Sequence, residues 1–363
     1  MNLLSCFGFQ ISNPESHRRA SFVSMSKALP TYPQRPRRHA RLLEAILALI
    51  FGTGMVPLAR TATQPPTRIG ASSIQHTNST YRQTPLSQVL SNRALAMKLA
   101  ENTRRTIVPT MHLVETEHFL IFSAWNVSND TALAVLCEQM FQKLAQQFNI
   151  PGSESVWVGK CPIYLFWEPA HYARFIAEVD QSQKLDPNMA HANGYHASRE
   201  EFSYVVINGV AAFGANQEQA KIKFYHVLVH EGPHAFLHRY LSERPMPLWM
   251  EEGLAEYVAA CLVPQSAANR DYLTATRTAL RSAENVRHLL GKKDDLTATE
   301  YGVAQSLVRF LVAQDRVAMI RFVELLKKGK SEEAALADAY HISNAQLIRG
   351  WALFWQHALA RQT

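Results

Sequence analysis

Residues 230–234 read His-Glu-Gly-Pro-His, and seventeen residues later the chain reads Glu252-Gly253-Leu254-Ala255-Glu256-Tyr257. Side chains four apart leave the same face of a helix. His230 and His234 can therefore aim both imidazoles at one metal ion, while Glu231 projects beside them as a general base. Two imidazoles leave zinc under-ligated. Glu252, on a second predicted helix over 247–261, can supply a third ligand and leave a fourth position for water, as catalytic zinc requires. Glu256 follows one turn later on the same face, where a carboxylate can accept the other N–H of a ligand imidazole. Glu251 reads as a solvated neighbour. Without the upstream histidines, all three carboxylates would read as the polar face of an ordinary amphipathic helix.

His226, His230, His234 and His238 recur every four residues and form one stripe along a helix. Only adjacent pairs can share an ion. Glu231 is in register with His230 and His234, so His226 and His238 are expected to be polar boundary residues. Between the two ligands stand Gly232 and Pro233, which cost about 1 and about 3 kcal/mol relative to Ala inside a helix. Pro233 also removes the amide that would bond the carbonyl of Val229. Two outcomes stay open: a kink that swings His234 away from His230, or packing that holds both imidazoles in place.

The run Val229-His230-Glu231-x-x-His234, followed by Pro247-Leu248-Trp249-Met250-Glu251-Glu252-Gly253-Leu254-Ala255-Glu256-Tyr257, resembles the gluzincin zinc metallopeptidases. The likeness is to the bacterial peptidase-MA-like group, distantly related to the M1 aminopeptidases. It extends from about residue 115 to 355, although only the two zinc-site segments are specific. The resemblance implies one Zn2+ per chain held by His230, His234 and Glu252, with Glu231 as base and a peptide or protein as substrate. It also implies a strand at 117–123, a second at 163–167 and a hairpin from Gly194 to Ile207. Tyr301, leading the segment Tyr-Gly-Val-Ala-Gln-Ser-Leu, corresponds to a tyrosine that faces the zinc in the M1 relatives, and is a candidate oxyanion stabiliser.

The elements that must position these groups form an α+β pattern. A small mixed β-sheet subdomain leads into the His-Glu-x-x-His helix, and a mostly helical C-terminal subdomain carries the third ligand, which the resemblance makes thermolysin-like. Helices are predicted over 91–105, 131–148 and 170–179, and a strand over 202–208. A loop is expected from Asp186 to Gly194, and the strand after it is either a place where a peptide could add to a sheet edge or an ordinary structural edge strand. Beyond Tyr257 the pattern is helical: 267–290, 299–313, 317–328 and 343–360. Thr297 and Glu300 fit a capping box, and Leu347, Trp351 and Trp355 mark an apolar helix face. The expected organisation is a leader (1–62), a linker with an N-terminal helix (63–110), the α+β part (111–241) and the helical part (242–363).

Eight Lys/Arg against two acids give residues 1–62 a net charge of +6 out of the chain's +7, leaving the rest at +1. A near-neutral body without a basic stripe gives no reason to expect nucleic acid as a partner. Arg35, Arg37, Arg38 and Arg41 precede an apolar run from Ala45 to Ala59, the order of a secretory signal. Export to the periplasm or exterior is expected, with cleavage near residue 60. An uncleaved anchor through residues 42–59 is the alternative, and only then would a membrane be a partner. Cys137, Cys161 and Cys261 are odd in number, lack metal spacing and read as buried thiols.

Two further classes remain: a non-catalytic gluzincin-fold binding or scaffold protein whose site Gly232 and Pro233 have impaired, and an exported helical interaction protein with a chance motif. No amine-anchoring motif separates endo- from exopeptidase action, and nothing in the sequence sets the oligomeric state.

Overall fold

The computed structural model describes residues 85–152, 154–180, 192–199, 202–214 and 216–361. The expected leader, the linker and most of the loop after Asp186 lie outside the described residues. The first helix, α1 (Leu86–Thr106), begins one turn earlier than its sequence pattern indicated.

A five-stranded mixed sheet follows. β1 (His112–Glu115) pairs antiparallel with β2 (Phe119–Ser123). The chain then crosses through α2 (Asp130–Phe148) to β3 (Cys161–Leu165), parallel to β2, as a helix-spanned crossover requires. After α3 (Pro169–Arg174) and a π-helical turn (Phe175–Val179), β4 (Gly194–Arg199) and β5 (Phe202–Ile207) form an antiparallel hairpin. β5 pairs parallel with β3, so among the described residues the order is β1-β2-β3-β5-β4, with β4 at an edge. β1 went unread because His-Leu-Val-Glu is short, part-exposed and only half apolar.

The three central strands are buried along their whole length, as strands covered on both faces must be. Side chains alternate between the two covers. Ile121, Ile163 and Val205 join the larger core with α2, while Phe122, Tyr164 and Tyr204 join a second core with α1.

The motif helix α4 (Gln217–Arg239) starts at Asn216, whose side chain accepts from the amides of Glu218 and Gln219. Everything after it is helical: α5 (Leu248–Leu262), α6 (Ala267–Ala279), α7 (Ala283–Leu289), α8 (Ala298–Gln314), α9 (Arg316–Lys327), α10 (Glu332–Tyr340) and α11 (Asn344–Ala360). The single helix expected over 267–290 is corrected to two. Ser282 takes extended backbone angles (φ −148°, ψ 107°) and opens α7 as its N-cap. α10 was also missed, being only nine residues long with weak periodicity.

The capping box at Thr297 and Glu300 is present. Trp351 and Trp355 are core residues, each donating its indole N–H to Ser306, at Oγ and at the carbonyl. Leu144 of α2, Phe236 of α4, Trp249 of α5 and Phe322 of α9 belong to the same core, so one interior runs under both the sheet and the helices. Cys137 and Cys161 are buried there, and burial pushes both thiols up. Cys261 is corrected to half-buried. Among the described residues, no helix is long and apolar enough to cross a membrane.

Candidate metal centre

α4 runs unbroken through Pro233. What fits Gly232 to this place is α2: a Cβ at 232 would lie 2.1 Å from Met140 Sδ and 2.3 Å from its Cε. Gly232 lets α2 press against the helix on the side away from the histidines, and Pro233 is buried beside it. His230 and His234 therefore stay on one face, with their Nε2 atoms 3.2 Å apart.

α5 delivers Glu252 to the same point. Glu251 accepts the amide of Met246 at 2.9 Å and holds the start of the helix, which corrects its expected role as a merely solvated residue. Gly253 lies so close to α8 that a Cβ would come 2.5 Å from the carbonyl oxygen of Ala304. Glu252 Oε2 then sits 3.3 Å from His230 Nε2 and 3.4 Å from His234 Nε2.

These separations fit a tetrahedral cation, because donors ~2.0–2.1 Å from zinc lie about 3.3 Å from one another. Glu252 Oε2 is also a buried acceptor without a hydrogen-bond donor, the kind of atom a cation would satisfy. Among the described residues, His230, His234 and Glu252 are the one group of three such side chains able to hold a metal ion. The donor set of two imidazoles and a carboxylate suits zinc, and other first-row divalent ions too.

The surroundings are anionic. Burial raises the Glu252 carboxyl and the two histidines more than reverse this, bringing it down to about 2. Burial lowers both imidazoles, but Glu256 and Glu252 at His230, and Glu252 at His234, hold them above the ordinary value. Glu231 is pushed up, chiefly by burial. The cluster therefore favours positive charge, which a divalent cation would supply.

Glu256 is buried behind the ligands, 3.1 Å from His230 Nδ1 and 3.0 Å from His226 Nε2. His226, expected at a polar boundary, is corrected to a buried partner of this carboxylate. Tyr272 of α6 faces Glu256 as well; burial and then that charge push its phenol up. The four-residue ladder pointed to His226, but no sequence signal marked Tyr272.

Tyr301 lies in the first turn of α8, half-buried, with its ring centroid 6.1 Å from that of His230. Burial, followed by Glu252 and Glu256, pushes its phenol up, so it stays a proton donor at neutral pH.

The site opens into a cavity of about 360 Å³, lined in part by Gly194 and His196 of β4, Glu231, Tyr301 and His238. The edge strand passes the motif helix here: a Cβ at Gly194 would lie 3.1 Å from Glu231 Cγ, and Ser198 Oγ lies 3.2 Å from His238 Nε2. His238 is thus a half-buried cleft residue. His196 shares a 2.7 Å hydrogen bond with Ser203 and is lowered to about 3, first by burial and then by its histidine neighbours.

The structure brings all five sequence-predicted residues, His230, Glu231, His234, Glu252 and Tyr301, to one cavity. Compared with protein-family models and with curated proteins, the chain matches none.

Proposed function

We propose that the protein is a gluzincin-like zinc metallopeptidase. The observation that carries this reading is the convergence of His230 Nε2, His234 Nε2 and Glu252 Oε2 with separations of 3.2–3.4 Å beside a buried Glu231. Zinc bound by these three groups would supply Lewis-acid activation of a water and of a peptide carbonyl.

The chain's own residues do the rest. Glu231, on the same helix as two of the ligands, takes the proton of the attacking water and returns it to the leaving amine. A raised carboxyl pKa suits a group that must both accept and give up a proton near neutral pH. Tyr301 donates its O–H to the oxyanion that develops on the carbonyl. Glu256 fixes the ring of His230 from behind. Among the described strands β4 is at the edge of the sheet, and it lines the cavity where an extended peptide could add to it.

Metal content by plasma mass spectrometry tests the site before any substrate is known. Near one zinc per wild-type chain is expected, falling in His234→Ala and Glu252→Ala. Hydrolysis of a peptide library should then be lost in Glu231→Gln with zinc content unchanged. Undiminished turnover in Glu231→Gln would refute the assigned base.

A further inference from the structure

The far end of the cavity, beyond the last turn of α4, is lined by Glu243, Arg244, Glu251 and Lys327. Three of these charges are already engaged. Glu243 Oε1 lies 2.6 Å from Arg239 Nη1. Glu251 accepts the amide of Met246, and its charge acts on Lys327. Lys327 is buried and donates to the backbone carbonyl of Arg244 at 2.7 Å. Arg244 is different: its guanidinium is exposed, and no carboxylate lies within ion-pairing distance of it among the described residues.

The guanidinium lies against the end of α9, on a backbone that is braced. Gly329 ends α9 with φ +91°, a left-handed conformation that favours glycine, and a Cβ there would lie 2.9 Å from Arg244 Cζ. Arg244 therefore rests on the bare face of that turn while Lys327, two residues earlier, holds its carbonyl. Ser242 completes the brace by donating to the carbonyl of Lys327 at 2.8 Å. The wall of the same cavity also carries His196 and His238, whose imidazoles burial pushes down. At the metal centre Glu231, Glu252 and the buried Glu256 surround the cation site, while at the far end the exposed guanidinium of Arg244 has no carboxylate beside it among the described residues.

We propose that Arg244 is the substrate anchor of this cleft and selects peptides that present a carboxylate to its far end. Its planar fork of N–H donors matches a carboxylate bidentately. The carboxylate is either the free C-terminus of the substrate or an Asp or Glu side chain. This assignment rests on the peptidase reading above, and it adds the chemical class of substrate.

The test supplies the full chain with zinc and offers it a mixed-sequence hexapeptide library twice, as free acids and as C-terminal amides, with products read by mass spectrometry. A preference of about tenfold or more for the acids, abolished in Arg244→Gln, identifies the C-terminus as the anchored group. Equal cleavage of both libraries, with Asp or Glu enriched at one position only while Arg244 is present, identifies a side chain. Cleavage without either preference, or a preference that survives Arg244→Gln, overturns the proposal and leaves the peptidase reading standing. No cleavage of either library counts against the peptidase reading instead. In that case, retention of the libraries on the immobilised zinc-loaded protein still decides: acid-selective retention lost in Arg244→Gln supports the anchor, and unselective retention overturns it. Arg244 is exposed, so an unchanged melting temperature is expected to confirm that the variant folds.

Discussion

Glu256 Oε1 lies 3.1 Å from His230 Nδ1, on the side of the imidazole away from the nitrogen that faces Glu252. A carboxylate at that distance favours a proton on Nδ1 and so leaves the other ring nitrogen for a cation. Glu256→Gln should therefore weaken zinc binding about 10–100-fold, with the helices intact. A chelator competition against wild type measures this directly, and unchanged zinc affinity would remove Glu256 from the centre.

Gly232 and Met140 make the second prediction. Replacing a helical glycine by alanine ordinarily gains about 1 kcal/mol, but here the new methyl enters the space of a fully buried methionine. Overpacking of this kind costs about 1–3 kcal/mol, so Gly232→Ala should lower stability in denaturant titrations. In a Met140→Ala background the same change should become stabilising, because the obstructing side chain is gone and the helix propensity remains. Additive effects in the double variant would mean that the two residues do not compete for space.

These two residues also show where the sequence was legible. The pairing of His230 with His234 is local, set by helical spacing alone, and the Glu-Gly-Leu-Ala-Glu run fixed which residue of α5 faces them. The α+β order and the capping box at Thr297 were legible for the same reason. The outcome at Gly232 and Pro233 was not, since it depends on Met140, ninety-two residues upstream, pressing into the space the glycine leaves. Tyr272 and Arg244 escaped notice likewise: a phenol reaches Glu256 and a guanidinium reaches Gly329 only through helix packing that no periodicity encodes. The split of α6 from α7 turned on one serine, and a boundary set by a single residue is weakly marked in sequence.

Lys327 gives a prediction in pH. Its ammonium is buried, and this lowers its pKa from 10.5 in an unperturbed chain to about 8 in the fold. Between those values the folded protein binds fewer protons than the unfolded chain, so stability should rise with pH from about 8 to about 10.5 through this group. Lys327→Met should flatten that rise relative to wild type while losing the bond to the carbonyl of Arg244. Denaturant midpoints at half-unit steps across the interval provide the measurement. Parallel curves for the two proteins would show that Lys327 keeps its ordinary titration in the fold.

Tyr301 separates an oxyanion donor from a packing residue. Its ring sits beside His230, and its phenol, pushed up by burial and the neighbouring carboxylates, keeps its proton throughout the neutral range. Tyr301→Phe retains the ring and removes only the O–H. If that O–H stabilises the developing charge, kcat should fall about 10²-fold or more. KM and zinc content should change little, because the interaction strengthens in the transition state rather than in the bound substrate. A variant that loses zinc or unfolds would instead mark Tyr301 as structural, and one with wild-type kcat would leave the stabilisation to the metal alone.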